Sequence, residues 1–86
     1  AFASAKFALR GVTQSLAREY QSQGIHVCHA ILAGIIDTAR SRGLHNLDPE
    51  KMMRPQDIAE AYWQIAHQPK STWTHELDLR PASEGF

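Results

Sequence analysis

At Gly24 the chain changes its periodicity within a single residue, and that change limits what it can fold into. From about Ala3 to Gln23 the pattern is helical: Leu9, Val12, Leu16 and Tyr20 recur at spacings of three and four, and Phe2, Ala5 and Lys6 extend the stripe backwards. Gly11 is the one weak position for helix propensity, and a small residue there would admit another helix at close range. Gly24 stands where a left-handed C-terminal cap is wanted, which ends the helix. Ile25-His26-Val27-Cys28-His29-Ala30-Ile31-Leu32 follows at once and reads as a mostly buried strand. Its weak alternation suits a parallel strand buried on both faces.

Ala33-Gly34 breaks that strand, and residues 35–46 read as a loop or short helical segment. Asp48 and Pro49 can cap and open one helical turn. Arg54-Pro55-Gln56-Asp57 repeats that type of signal ahead of a better helix. There Ile58, Ala61, Tyr62, Ile65 and Ala66 fall on one face, and Pro69 ends it. Trp73 to Arg80 alternates as a strand, closed by Pro81. Strand, helix and strand at this spacing imply a right-handed parallel crossover. Two such strands and two helices do not cover themselves, and the first strand keeps an open edge. The chain also opens on Ala1-Phe2-Ala3, without Met or a helix-capping residue. The expectation is therefore a single incomplete α/β domain over residues 1–86, lacking an upstream part.

Composition excludes several classes of function. An apolar content of 43% with 21% charged residues argues against disorder. Nine basic residues balance nine acidic ones, so no basic stripe points to nucleic acid. The apolar run around Ala30–Ile36 is far too short to cross a bilayer. A lone Cys28 excludes an internal disulfide and fits a reducing, cytoplasmic setting. His26 and His29 straddle Cys28, but alternation separates them, so no metal site is expected. His45, His67 and His75 show no ligand spacing. Tyr62, Trp63 and Trp73 are expected to pack the second helix and the last strand.

The residues that bear on chemistry are Phe2 and Lys6, four apart and so on one helical face. After them come Phe7-Ala8-Leu9-Arg10-Gly11, then Leu16-Ala17-Arg18-Glu19, Gly24-Ile25-His26-Val27 and Ala33-Gly34-Ile35-Ile36-Asp37-Thr38. In this order and spacing they resemble the C-terminal part of the short-chain dehydrogenase/reductase family. The resemblance implies the last helix–strand–helix–strand portion of a doubly wound, Rossmann-type parallel sheet. In that family a Tyr-x-x-x-Lys pair opens the helix: the Lys holds the nicotinamide ribose and favours the tyrosinate, while the Tyr passes a proton to the substrate carbonyl. Here Phe2 stands at the Tyr position and has no hydroxyl. By resemblance Lys6, Ala33, Gly34, Ile36 and Thr38 face the cofactor, with Ile36 meeting the nicotinamide carboxamide through its backbone and Ala33 replacing the usual Pro. Thr38 is equally suited to capping the next turn. Arg40 and Arg42 beside the loop either meet a cofactor phosphate or an acidic substrate, or are only solvated. The resemblance also implies that residues 39–53 form part of the substrate cover.

The resemblance further implies NAD or NADP in the full-length parent, a small carbonyl or alcohol substrate, and homo-oligomers formed through the first helix and last strand. The family's Gly-rich phosphate turn lies upstream, and no such turn joins a strand to a helix here, so no cofactor and no turnover are expected of this chain alone. The alternative is a non-catalytic relative, kept for ligand binding or subunit assembly after loss of the proton donor.

Overall fold

The computed structural model describes the backbone of residues 2–83 and the side chains of residues 3–83. Its main elements are α1 (Phe2–Tyr20), β1 (His29–Leu32), α2 (Ala39–Leu44), α3 (Pro55–Ala66) and β2 (Glu76–Leu79). Short 3-10 turns cover Gln21–Gln23, Pro49–Lys51 and Lys70–Thr72. β1 and β2 pair as a two-stranded parallel sheet. The amide of His29 donates to the carbonyl of His75 and that of Ala33 to Leu79, both at 2.9 Å. Equal sequence separation in the two bonds fixes the parallel sense. The class is α/β, as the order of periodicities implies. By compactness the chain divides into two units, Ala1–Ala30 with Gln68–Leu77, and Ile31–His67 with Asp78–Phe86.

In the first unit α1 runs to Tyr20 and tightens into the turn Gln21–Gln23. Gly24 then adopts φ 85°, the left-handed cap the sequence asks for, and its amide returns to the carbonyl of Gln21 at 3.0 Å. Which face of α1 is covered differs from the apolar stripe. Leu9, Val12 and Leu16 are 51%, 54% and 40% exposed, whereas Thr13 and Ala17 are 7% and 4% exposed. Small side chains let a backbone approach closely, and the Thr13 hydroxyl is satisfied by the carbonyl of Leu9 at 2.9 Å. Around Gly11, open space replaces the close approach its size would allow.

Both strands are shorter than their apolar runs, for a reason visible at Thr74. Its carbonyl is bonded by His26 Nε2 at 2.7 Å, and its amide donates to Gln68 Oε1 at 2.8 Å. With both backbone groups taken by side chains, no ladder forms before His29 and His75. Trp73 packs flat on His26, with ring centroids 4.6 Å apart and ring planes nearly parallel.

In the second unit α2 is a single short helix capped by Thr38, and Asp48 caps the turn that Pro49 opens. Met52 and Met53 are buried there. Along α3, Ile58, Ala61 and Ile65 are half-buried, but Tyr62, Trp63 and Ala66 are exposed. Trp63 and Tyr62 therefore do not pack as expected: Trp63 meets only the tilted ring of His67, centroids 4.1 Å apart, among the described ring contacts, and His67 also bonds the Trp63 carbonyl through Nδ1 at 2.7 Å. Among the described residues no helix is long and apolar enough to cross a membrane.

Candidate functional site

The sequence-derived site residues fall in both units, so each group is described by itself. In the first unit Lys6 lies in the second turn of α1, one turn after Phe2, whose side chain is outside the described residues. Residues 3–9, 11 and 12 of α1 are all exposed, and Arg10 is the half-buried exception. Arg10 reaches β2 through a two-point contact with Glu76, Nε to Oε1 at 2.7 Å and Nη2 to Oε2 at 3.0 Å. Only the Nη2 contact is a hydrogen bond; Nε and Oε1 are close as an ion pair but lack hydrogen-bond geometry. The thiol of Cys28 titrates above its usual range, first through burial and second through the Glu76 carboxylate.

In the second unit the loop 33–38 is tied at successive residues. The Ala33 amide donates to Leu79, the Met53 amide to Ile35 at 2.8 Å, and the Asp37 amide to Met53 at 2.7 Å. The last two bonds make an isolated parallel bridge between Ile36 and Met53. In such a bridge the flanking residues carry the bonds, and the central one turns its own N–H and C=O to the opposite side. The Ile36 carbonyl takes the Ser41 hydroxyl at 2.6 Å, while its amide has no hydrogen-bond acceptor among the described residues. Because Ala33 stands where the family has Pro, it has the N–H that donates to Leu79, which a proline would lack. Gly34 lies against Pro81: a Cβ there would sit 2.7 Å from the ring Cδ and 3.3 Å from Met53 Sδ.

Thr38 closes the loop with a reciprocal capping box, its hydroxyl accepting from the Ser41 amide at 3.0 Å and its amide donating to Ser41 Oγ at 2.9 Å. Of the two roles its sequence position left open, the cap is thus filled. Arg42 is not merely solvated. It grips Asp37 through Nε at 2.6 Å and Nη2 at 2.9 Å. That hydrogen bond, more than the charge itself, holds the Asp37 carboxyl below the usual range. Ser41, Met53 and Pro81, and the pairing of Arg42 with Asp37, are what sequence reasoning missed. Only Ser41 left a signal, as the third residue after a candidate cap. An apolar hollow beside the loop is floored by Met52, Met53, Ile58 and Leu79, with Arg54 at its edge. Among the described residues no cluster of His, Cys, Asp or Glu could hold a metal ion.

Residues 1–74 match the family model described as Enoyl-(Acyl carrier protein) reductase. The chain is 35% identical over 80 residues to an uncharacterized oxidoreductase of Staphylococcus aureus strain USA300, across 93% of this chain and 34% of that protein. A Bos taurus protein named dehydrogenase/reductase SDR family member 11 is 25% identical over 96% of this chain and 36% of its own. Among solved structures, a short-chain dehydrogenase from Rhodopseudomonas palustris superposes with TM-score 0.64 at 42% identity, covering 93% of this chain and 29% of that one. A β-ketoacyl-[ACP] reductase from Bacteroides thetaiotaomicron gives TM-score 0.77 at 23% identity over 94% of this chain and 36% of that one, a likeness of fold. The chain belongs to the short-chain dehydrogenase/reductase family, whose Rossmann-type architecture it shares in part. It spans about a third of the length of the curated relatives it matches.

Proposed function

We propose that this chain supplies the nicotinamide-facing loop and the lysine-bearing helix of an NAD(P)-dependent oxidoreductase acting on a small carbonyl or alcohol substrate. The observation that supports this best is the Ile36 amide. The Met53 amide on the Ile35 carbonyl holds the peptide that carries this N–H, the Ser41 hydroxyl holds the next one, and among the described residues the N–H has no hydrogen-bond acceptor. A carboxamide oxygen is the matching acceptor. Thr38 offers a hydroxyl proton two residues on, and Gly34 keeps the loop free of a side chain. Lys6 would hold the ribose. Residues 1–86 form a single incomplete domain in this reading, with no cofactor affinity and no turnover by themselves. Self-association through α1 and β2, in a reducing cytoplasm, belongs to the same reading, and the exposed Leu9, Val12 and Leu16 are apolar surface for it.

Phe2 favours a second reading, a relative that binds its ligand without turning it over. General acid catalysis is worth about two to four orders of magnitude. The test is Phe2→Tyr in the full-length protein, followed by NADH or NADPH oxidation with a panel of aldehydes and ketones. A working site gains at least about 10²-fold in rate. An unchanged rate excludes phenol proton transfer and leaves the binding role.

A further inference from the structure

Ser41 does more than complete the cap of α2. Its Oγ accepts from the Thr38 amide at 2.9 Å, the reciprocal half of the capping box. The same oxygen stands 2.6 Å from the Ile36 carbonyl, 3.0 Å from the Thr38 carbonyl and 3.8 Å from Met52 Sδ. A hydroxyl has a single proton to give. The Thr38 carbonyl already takes the Arg42 amide at 3.0 Å, and a thioether is a weak acceptor. Among the described residues no backbone amide serves the Ile36 carbonyl. Distance and need therefore both send the Ser41 proton to Ile36.

That bond bears on the direction of the Ile36 N–H. Two rigid peptide planes meet at the Ile36 Cα, with only two soft torsions between them. The first carries the Ile36 N–H and is held at its other edge, where the Ile35 carbonyl takes the Met53 amide at 2.8 Å. The second is held at both edges: the Asp37 amide donates to Met53 at 2.7 Å, and the Ile36 carbonyl takes Ser41. A single bond lets a plane swing about it, whereas bonds on opposite edges fix its orientation. Without the Ser41 hydroxyl the second plane keeps the Met53 bond. The Ile36 Cα, where the first plane begins, then turns with it. Arg42 grips the Asp37 carboxylate and so holds a side chain beyond both planes.

We propose that Ser41 is a positioning residue: its hydroxyl holds the Ile36–Asp37 peptide so that the Ile36 N–H keeps the direction in which it meets the nicotinamide carboxamide. The positioning rests on the role given to this loop above; the holding does not.

The test uses the full-length protein with Ser41→Ala, Ser41→Thr and Ser41→Asp. Alanine removes both bonds of the hydroxyl, and threonine keeps both. Aspartate still accepts from the Thr38 amide, so the cap survives, but its ionised carboxylate has no proton for Ile36. Two readouts are taken: the carbonyl-carbon NMR shift of Ile36, and the preference for NADH or NADPH over the same nucleotide lacking its nicotinamide. Taking a ratio of affinities cancels any general effect of the aspartate charge on nucleotide binding. Holding predicts that the Ile36 carbonyl carbon moves upfield in Ser41→Ala and Ser41→Asp and stays in place in Ser41→Thr. Positioning predicts a preference about 5-fold smaller in Ser41→Ala and Ser41→Asp, the worth of one hydrogen bond. Ser41→Thr stays within about twofold of native. An unmoved carbonyl carbon in Ser41→Ala overturns the holding. A native-like preference in Ser41→Asp beside a reduced one in Ser41→Ala makes Ser41 a helix cap alone and overturns the positioning. A preference kept in both variants overturns it too, with the role of the loop left standing. A native protein that binds both nucleotides equally overturns that role, and the positioning with it. Should Ser41→Ala fail to fold, Ser41→Asp and Ser41→Thr carry the same decision.

Discussion

Replacing Gly34 with alanine places a methyl carbon 2.7 Å from Cδ and 3.1 Å from Cγ of Pro81. Nonbonded carbons are most comfortable at about 3.5–4.0 Å, so the new atom intrudes by roughly 1 Å. Met53 Sδ, at 3.3 Å, can swing away on a flexible side chain. The proline ring cannot, because it is closed on its own backbone. Relief must then come from moving the chain after β2, and Leu79, two residues earlier, accepts the Ala33 amide at 2.9 Å. Gly34 has no positive φ, so the backbone itself does not demand glycine and the clash is the whole effect. Overpacking of this kind costs about 1–3 kcal/mol, and about 2 kcal/mol is expected here. With a urea dependence of about 1 kcal/mol per molar, the unfolding midpoint falls by about 2 M. Pro81→Ala in the same chain should restore at least half of the loss, a coupling that a merely local effect at residue 34 lacks. A change within about 0.5 kcal/mol for Gly34→Ala, or strict additivity with Pro81→Ala, would refute the reasoning.

Asp37 should titrate below an ordinary aspartate when followed by carboxyl NMR, since the Arg42 hydrogen bond lowers its pKa. Its contribution to stability is full above the unfolded value near 3.9 and is lost as pH falls through the lower folded value. Arg42→Met should raise the midpoint towards the ordinary range and shrink that acid-dependent share; an unmoved midpoint would remove the hydrogen bond as cause. Cys28 should react with iodoacetamide at neutral pH more slowly than a free cysteine peptide, because burial and then Glu76 disfavour its thiolate. Glu76→Gln should speed the reaction while leaving it slower than the peptide, and a rate equal to the peptide's in the native protein would contradict this.

Legibility of the sequence differed from element to element. Gly24, Pro49 and Asp48 announced their turns because cap chemistry is local, and each does in the structure what its type requires. The α/β order was legible for the same reason, in the switch from a period of 3.6 to an extended run. The covered face of α1 was not, since periodicity marks an apolar stripe without saying what lies against it. Thr13 and Ala17 are buried because they are small, and size carries no period. Strand ends escaped because the side chains of His26, remote in sequence, and Gln68, six residues earlier, occupy the backbone of Thr74. At the candidate site, Gly34, Ile36 and Thr38 could be named from motif order. Their supports, Ser41, Met53 and Pro81, meet the loop only through folding and left almost no trace in the text.

The aimed donor of Ile36 can be observed directly. In the full-length protein labelled with nitrogen-15, the Ile36 amide is followed while NADH or NADPH is added, and separately while the same nucleotide lacking its nicotinamide is added. A loop that holds the nicotinamide carboxamide gives a large downfield shift of the Ile36 amide proton with the dinucleotide and little with the truncated one. An amide that stays in place at saturating dinucleotide, or moves equally with both, would contradict the role given to this loop.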